Sequence, residues 1–120
     1  MLPKKNRVDK KLFELVLQKG KFINSTNLSF KFFLDKNMNS PHLSFVVPKS
    51  VTKSAVKRNS LRRRGYLVLG KYKKDLPKSL AGIMFFGKKS EEVFSGRKSK
   101  EHDGIQNLEN EIKYILNKIN

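Results

Sequence analysis

Between Asp35 and Asp75 the chain carries no carboxylate, while Lys36, Lys49, Lys53, Lys57, Arg58, Arg62, Arg63, Arg64, Lys71, Lys73 and Lys74 all fall inside that interval. Unpaired charges are too costly to bury, so any fold must hold this block at the surface and turn its interleaved apolar residues inward. The centre of the block, AVKRNSLRRRGYLVLGKY (residues 55–72), sets six basic side chains beside an apolar run. Thr52 or Ser54 offers an N-cap, and no proline interrupts the chain up to Leu76, which predicts a helix of roughly five turns. At ~100° per residue, Leu61, Gly65, Val68 and Tyr72 form one stripe with Leu69 beside it. Arg62 falls on one flank, Arg63 near the back, Lys57 and Arg64 on the other flank, and Arg58 at the edge of the stripe. A glycine in mid-helix weakens it by about 1 kcal/mol relative to alanine, so Gly65 on the buried stripe predicts close packing against a sheet.

The remaining chain predicts the partners of this helix. Asp9 caps a helix over 9–19 in which Leu12, Phe13, Val16 and Leu17 share a face, with Gly20 expected as a left-handed terminator. LSFKFFL (28–34) reads as a strand with Ser29, Lys31 and Phe33 on one face and Leu28, Phe30, Phe32 and Leu34 on the other. DKNMNSP makes a turn or hairpin loop, and HLSFVV a second strand ended by Pro48. AGIMFF (81–86), unbroken and apolar, suits a central strand. A flexible loop is expected over 87–104, then a capping box from Asp103 to Gln106 and a last helix with Ile105, Leu108, Ile112, Ile115, Leu116 and Ile119 on its apolar stripe. The order helix, strand, strand, helix, strand, helix predicts an α+β fold with a single central sheet packed with helices. At 120 residues and 38% hydrophobic content, with nine phenylalanines, the chain suffices for one folded domain over 1–120.

The net charge of +17, from 27 basic against 10 acidic residues, directs attention to a polyanion. A basic helix face is ordinarily only solvated surface, but an acid-free run of this length favours nucleic-acid contact. No stretch approaches the length of a membrane span, and MLPKKNRVDKK lacks the apolar segment of a signal peptide, so a cytoplasmic protein without a membrane partner is expected. The absence of cysteine excludes thiolate metal sites and cysteine nucleophiles. The acids are scattered with no close pair in an apolar strand, Glu91 and Glu92 sit in a polar stretch, and His42 and His102 flank turns without an evident partner. With no phosphate-binding glycine loop and no zinc-ligand spacing either, no catalytic residue, no metal-ligating residue and no small-molecule substrate are assigned from the sequence. The arginine forks suit phosphate, and phenylalanines on a strand or helix could stack on unpaired bases, although most in alternating strand positions are core.

VVPKSVTKSAVKRNSLRRRGY closely resembles the signature of the bacterial ribonuclease P protein component, whose helix begins A-[VH]-x-R-N-R-[IL]-[KR]-R. The matching residues are Lys49, Val51, Lys53, Ala55, Val56, Arg58, Asn59, Leu61, Arg62 and Arg63, and KKNRVDKKLFELVLQKGKF resembles the family's opening segment. Ser60 replaces one expected arginine, and Leu17 stands where many members have phenylalanine. The resemblance implies a left-handed β-α-β crossover and a protein subunit that assists a catalytic RNA in removing the 5′ leader of precursor tRNA. The partners implied are ribonuclease P RNA and precursor tRNA, with Mg²⁺ held mainly by the RNA. It implies RNA contacts from Lys49, Lys53, Lys57, Arg58, Asn59, Arg62, Arg63 and Arg64, and a leader cleft with Phe13, Lys31 and Phe32. Without the resemblance, a ribosomal or other structural RNA-binding protein, a nucleoid-type DNA binder and a stand-alone nuclease are the alternatives, the last disfavoured by the scattered acids.

Overall fold

The computed structural model describes residues 6–90 and 101–119. The elements are α1 (Lys10–Lys19), β1 (Lys21–Asn24), β2 (Leu28–Leu34), β3 (His42–Val46), α2 (Ala55–Lys71), a short 3₁₀ turn at Lys73–Asp75, β4 (Leu80–Phe86) and α3 (Glu101–Ile119). The expected order is present with one strand added, β1, which pairs antiparallel with β2. Its four residues leave only Ile23 partly buried, too little apolar pattern to read from sequence.

The sheet order is β1-β2-β4-β3, with β4 antiparallel to β2 and parallel to β3. β4 therefore lies between the two strands that precede it. The DKNMNSP segment is consequently a turn between strands that do not pair, and the hairpin alternative falls. The β3–α2–β4 unit is the parallel crossover, and the fold is α+β with a single mixed sheet.

Strand alternation divides the core in two. On one face Phe30 of β2, Phe45 of β3, and Met84 and Phe86 of β4 pack with Leu61, Val68 and Leu69 of α2 and with Leu108, Ile112 and Ile115 of α3. On the other face Ala81 and Ile83 of β4 meet Val16 of α1, with Leu12, Phe13, Phe33, Val46 and Phe85 around them. β4 is buried on both faces, which explains its unbroken apolar run.

Local chemistry sets the helix ends. Asp9 accepts a hydrogen bond from Leu12 N at 2.8 Å, and Ser54 accepts one from Lys57 N at 3.3 Å, so each caps its helix. Gly20 is not left-handed as expected; its φ of −71° and ψ of 154° are extended. It is required by crowding instead, since a Cβ there would lie 2.5 Å from the Val16 carbonyl oxygen and 2.7 Å from Lys31 Cγ. The last helix starts at Glu101, ahead of the capping box expected at Asp103. Residues 91–100, which hold most of the expected 87–104 loop with Glu91 and Glu92, lie outside the described residues.

Gly65 lets α2 approach the sheet closely. A Cβ there would stand 2.8 Å from the ring of Phe45, itself hemmed in by Tyr66 at 5.1 Å and Phe86 at 5.6 Å between ring centroids. Gly65→Ala should therefore lower stability by about 1–2 kcal/mol, overpacking outweighing the gain in helix propensity. Urea unfolding checks this, with Phe45→Leu as a background in which the same substitution should cost less.

Candidate nucleic-acid interface

The basic helix presents two unlike flanks. Lys57, Ser60, Arg64 and Lys71 lie toward α3, where Lys71 Nζ pairs with Glu109 at 3.2 Å. Arg58, Asn59, Arg62 and Tyr66 lie toward the edge strand β3, and Tyr66 Oη accepts a hydrogen bond from Phe45 N at 3.2 Å. Arg62 donates to Asn59 Oδ1, which fixes the two as a unit, and Arg63 is exposed behind them. Ser60 thus sits on the α3 side, away from Asn59 and Arg62.

The loop before α2 is tied to the core and to the helix. Val51 packs against the main core and its N–H bonds to the Pro48 carbonyl at 3.0 Å. Arg58 folds back so that Nη1 donates to the Thr52 carbonyl at 3.1 Å and the Lys53 carbonyl at 2.9 Å. Those carbonyls precede the helix and have no partner within it, so a guanidinium at the edge of the stripe satisfies them. Lys49 and Lys53 project from this loop and are exposed. The result is a line of cations from Lys49 through Lys53 to Arg62 and Arg63, with no carboxylate in the intervening sequence.

The three residues expected to share one cleft do not share one face. Phe13 lies on the α1 side with Phe33 and Phe85. Lys31 is on that side too, its Nζ donating to the Leu17 carbonyl at 2.6 Å and lying 5.1 Å from the Phe22 ring centroid. Phe32 faces the other way and stacks on Phe30, centroids 5.4 Å apart and rings 8° from parallel. Neighbours along a strand point to opposite faces, so Lys31 and Phe32 could not both line one side. Phe33, which the same alternation places with Lys31, and Phe85 are the aromatic residues that join Phe13. Phe32 meets Phe33 only at the end of the strands, where both line a 320 Å³ cavity with Lys19, Lys21 and Leu34. An adjoining space of 620 Å³ shares Lys19, Phe33 and Leu34 and continues to Asp35, Lys36 and Asn37.

Two further residues of the interface carry weak sequence signals. Tyr66 follows three arginines and a glycine, off the stripe that periodicity defines. Arg7 is distant in sequence, yet its Cζ lies 4.0 Å from the Tyr66 ring centroid. Among the described residues no three Asp, Glu or His groups come together where they could hold a metal ion, and no helix is long and apolar enough to cross a membrane.

A parallel β3–α2–β4 crossover bearing a cationic helix, with Phe13, Phe33 and Phe85 half-buried on the opposite sheet face, defines a small basic α+β protein. A family model described as ribonuclease P matches residues 2–120, and the chain belongs to that family. Among solved structures, the RNase P protein from Thermotoga maritima aligns with a TM-score of 0.78 at 22% identity, covering 95% of this chain and 97% of that one. A Staphylococcus aureus RNase P protein mutant with defective mRNA degradation activity gives a TM-score of 0.78 at 16% identity, over 97% and 89%. Another S. aureus RNase P protein gives 0.76 at 15%, over 95% and 94%. These likenesses establish the fold. Comparison with curated proteins gave no match.

Arg58→Ala should release the loop before α2. Amide exchange at Val51 to Ser54 should accelerate while the rest of α2 stays protected, with a stability loss of about 1 kcal/mol. An unchanged exchange pattern would show that the loop stands without this side chain.

Proposed function

We propose that this chain is the protein subunit of ribonuclease P, which binds the catalytic RNA and the 5′ leader of precursor tRNA and so assists endonucleolytic removal of the leader. The observation that carries this reading is the family match across residues 2–120. The geometry supports a division of labour between the two sides of the sheet.

The α2 side is suited to structured RNA. Arg62 and Asn59 form a preorganised pair, Arg63 stands exposed, and Lys49 and Lys53 extend the same surface from a loop that Arg58 braces. Lys57 and Arg64 extend it on the other flank. Guanidinium forks bind phosphate oxygens in pairs, and cations at this spacing offset the repulsion that two folded RNAs meet on approach. The chemistry of cleavage belongs in this reading to the RNA and its Mg²⁺. The protein's groups bind and position.

The α1 side is suited to an unpaired strand. Phe13, Phe33 and Phe85 offer ring surface to unstacked bases, while Lys31 and Lys19 supply charge for the backbone. Phe32 enters this path only through the cavity at the strand ends.

The direct test is cleavage of a 5′-extended precursor tRNA by ribonuclease P RNA at low Mg²⁺, with and without the protein. Protein-dependent release of the leader, with none from protein alone, is expected. No stimulation, including with RNA from the protein's own source, would return the chain to a structural RNA-binding role such as that of a ribosomal protein. Within the complex, Arg62→Ala should weaken assembly with the catalytic RNA and reduce the slope of log affinity against log salt by about 0.7–0.9. Phe13→Ala should spare assembly and weaken leader binding, by about 1–3 kcal/mol if one base stacks there. Equal losses for leader-bearing and leaderless tRNA would assign Phe13 to the core alone.

A further inference from the structure

The segment Asn6–Val8 lies along the free edge of β3, beside the basic helix and far from it in sequence. Val8 N donates to Ser44 Oγ at 2.8 Å, and Asn6 Nδ2 donates to the Pro41 carbonyl at 2.9 Å. These two bonds pin the segment to the strand. Between them Arg7 reaches over α2, its Cζ 4.0 Å from the centroid of the Tyr66 ring. Tyr66 follows Arg62 by four residues, so the two are neighbours on the helix surface, and Asn59 stands one turn before Arg62. The guanidinium of Arg7 therefore joins the β3-side group of α2 from outside the helix.

Its surroundings leave this guanidinium incomplete. Nε is buried without a hydrogen-bond partner, and in the adjacent residue, 1% exposed, Oδ1 of Asn6 is likewise buried and unpartnered. Buried polar atoms are satisfied in the great majority of cases, so an orphan guanidinium donor at a charged surface calls for a cause; the Asn6 oxygen is an acceptor, which an anion would not satisfy. No carboxylate among the described residues pairs with Arg7; the nearest in sequence, Asp9, uses Oδ1 to cap α1. The ring beneath supplies a cation–π contact but neither an acceptor in the guanidinium plane nor a counter-charge. The planar fork thus lies on the ring, partly desolvated and with no anionic partner among the described residues, on the same side of α2 as Arg62, which pairs with Asn59. Oxygens of a phosphate would supply both the acceptor and the charge.

We propose that Arg7, laid on Tyr66 and set beside Arg62, binds a backbone phosphate of the catalytic RNA and carries the RNA-binding surface of α2 around the edge of the sheet. This rests on the subunit reading given above. Tyr66 is the positioning residue: its hydroxyl is tied to Phe45 N, and its ring holds the fork in place before RNA arrives.

The test is the salt dependence of association between the full-length protein and ribonuclease P RNA, for wild type, Arg7→Gln, Arg7→Lys and Arg62→Ala, with thermal unfolding of each. Arg7→Gln should reduce the log-log slope by about 0.7–0.9, as Arg62→Ala does. Arg7→Lys should keep the wild-type slope while binding several-fold more weakly, because an ammonium lacks the fork. If Arg7→Gln fails to fold, Arg7→Met, whose unbranched chain can still cover the Tyr66 ring, takes its place with the same readout. A full wild-type slope in the uncharged variant, whatever its stability, would reduce Arg7 to a structural anchor and overturn the proposal. If wild type itself does not bind this RNA, the subunit reading falls and the assignment of Arg7 falls with it. A normal wild type with a responsive Arg62→Ala and an unresponsive Arg7→Gln would sink the Arg7 assignment alone.

Discussion

The ring of Phe45 rests against the bare Cα of Gly65, and the height of α2 above the sheet follows from that contact. A helix held one methyl group farther away could not bring the Tyr66 hydroxyl to Phe45 N, nor keep Leu61, Val68 and Leu69 in the same core layer as Met84 and Phe86. With those residues turned inward, helical geometry leaves Asn59, Arg62 and Arg63 nowhere to go but outward. The interior glycine and the exterior arginines are two consequences of one packing distance.

The sheet acts as a partition. Its alternation assigns Phe30, Phe32 and Phe45 to the side of α2 and α3, and Phe33 and Phe85 to the side of α1. Two candidate surfaces of different character then lie back to back: fixed cations on one side, rings with a few lysines on the other. They communicate around β3, where the N-terminal segment passes from one side to the other. In a chain with a net charge of +17, this arrangement spreads the cations over two faces instead of one.

Periodicity alone carries much of this architecture. The stripe through Leu61, Gly65, Val68 and Leu69 is buried as its spacing dictates, and AGIMFF reads as central because both of its faces are apolar. The alternation of LSFKFFL already placed Lys31 with Phe33 and apart from Phe32. The leader cleft that the resemblance implies joins Lys31 with Phe32, and the strand geometry separates them. Other features had no local signal. β1 buries almost nothing, Gly20 is dictated by a carbonyl and a lysine from elsewhere in the chain, and the meeting of Arg7 with Tyr66 depends on the path of the N-terminal segment along β3. Pairing between residues far apart in sequence is written in no short window.

The insertion of β4 between β2 and β3 bears on how the chain acquires its structure. Neither of those strands has its main partner until residues 80–86 have been made, and the turn between β1 and β2 is gripped by Glu111, which accepts from Ser25 Oγ at 2.5 Å and Asn27 N at 2.7 Å. During synthesis the first two thirds of the protein would emerge as a hairpin, two helices and an unpaired strand, with the cationic segment already complete. Closure of long loops is slow compared with helix formation. The newborn chain is therefore able to attract polyanions before its sheet exists, and its C-terminal third decides when it becomes a folded protein.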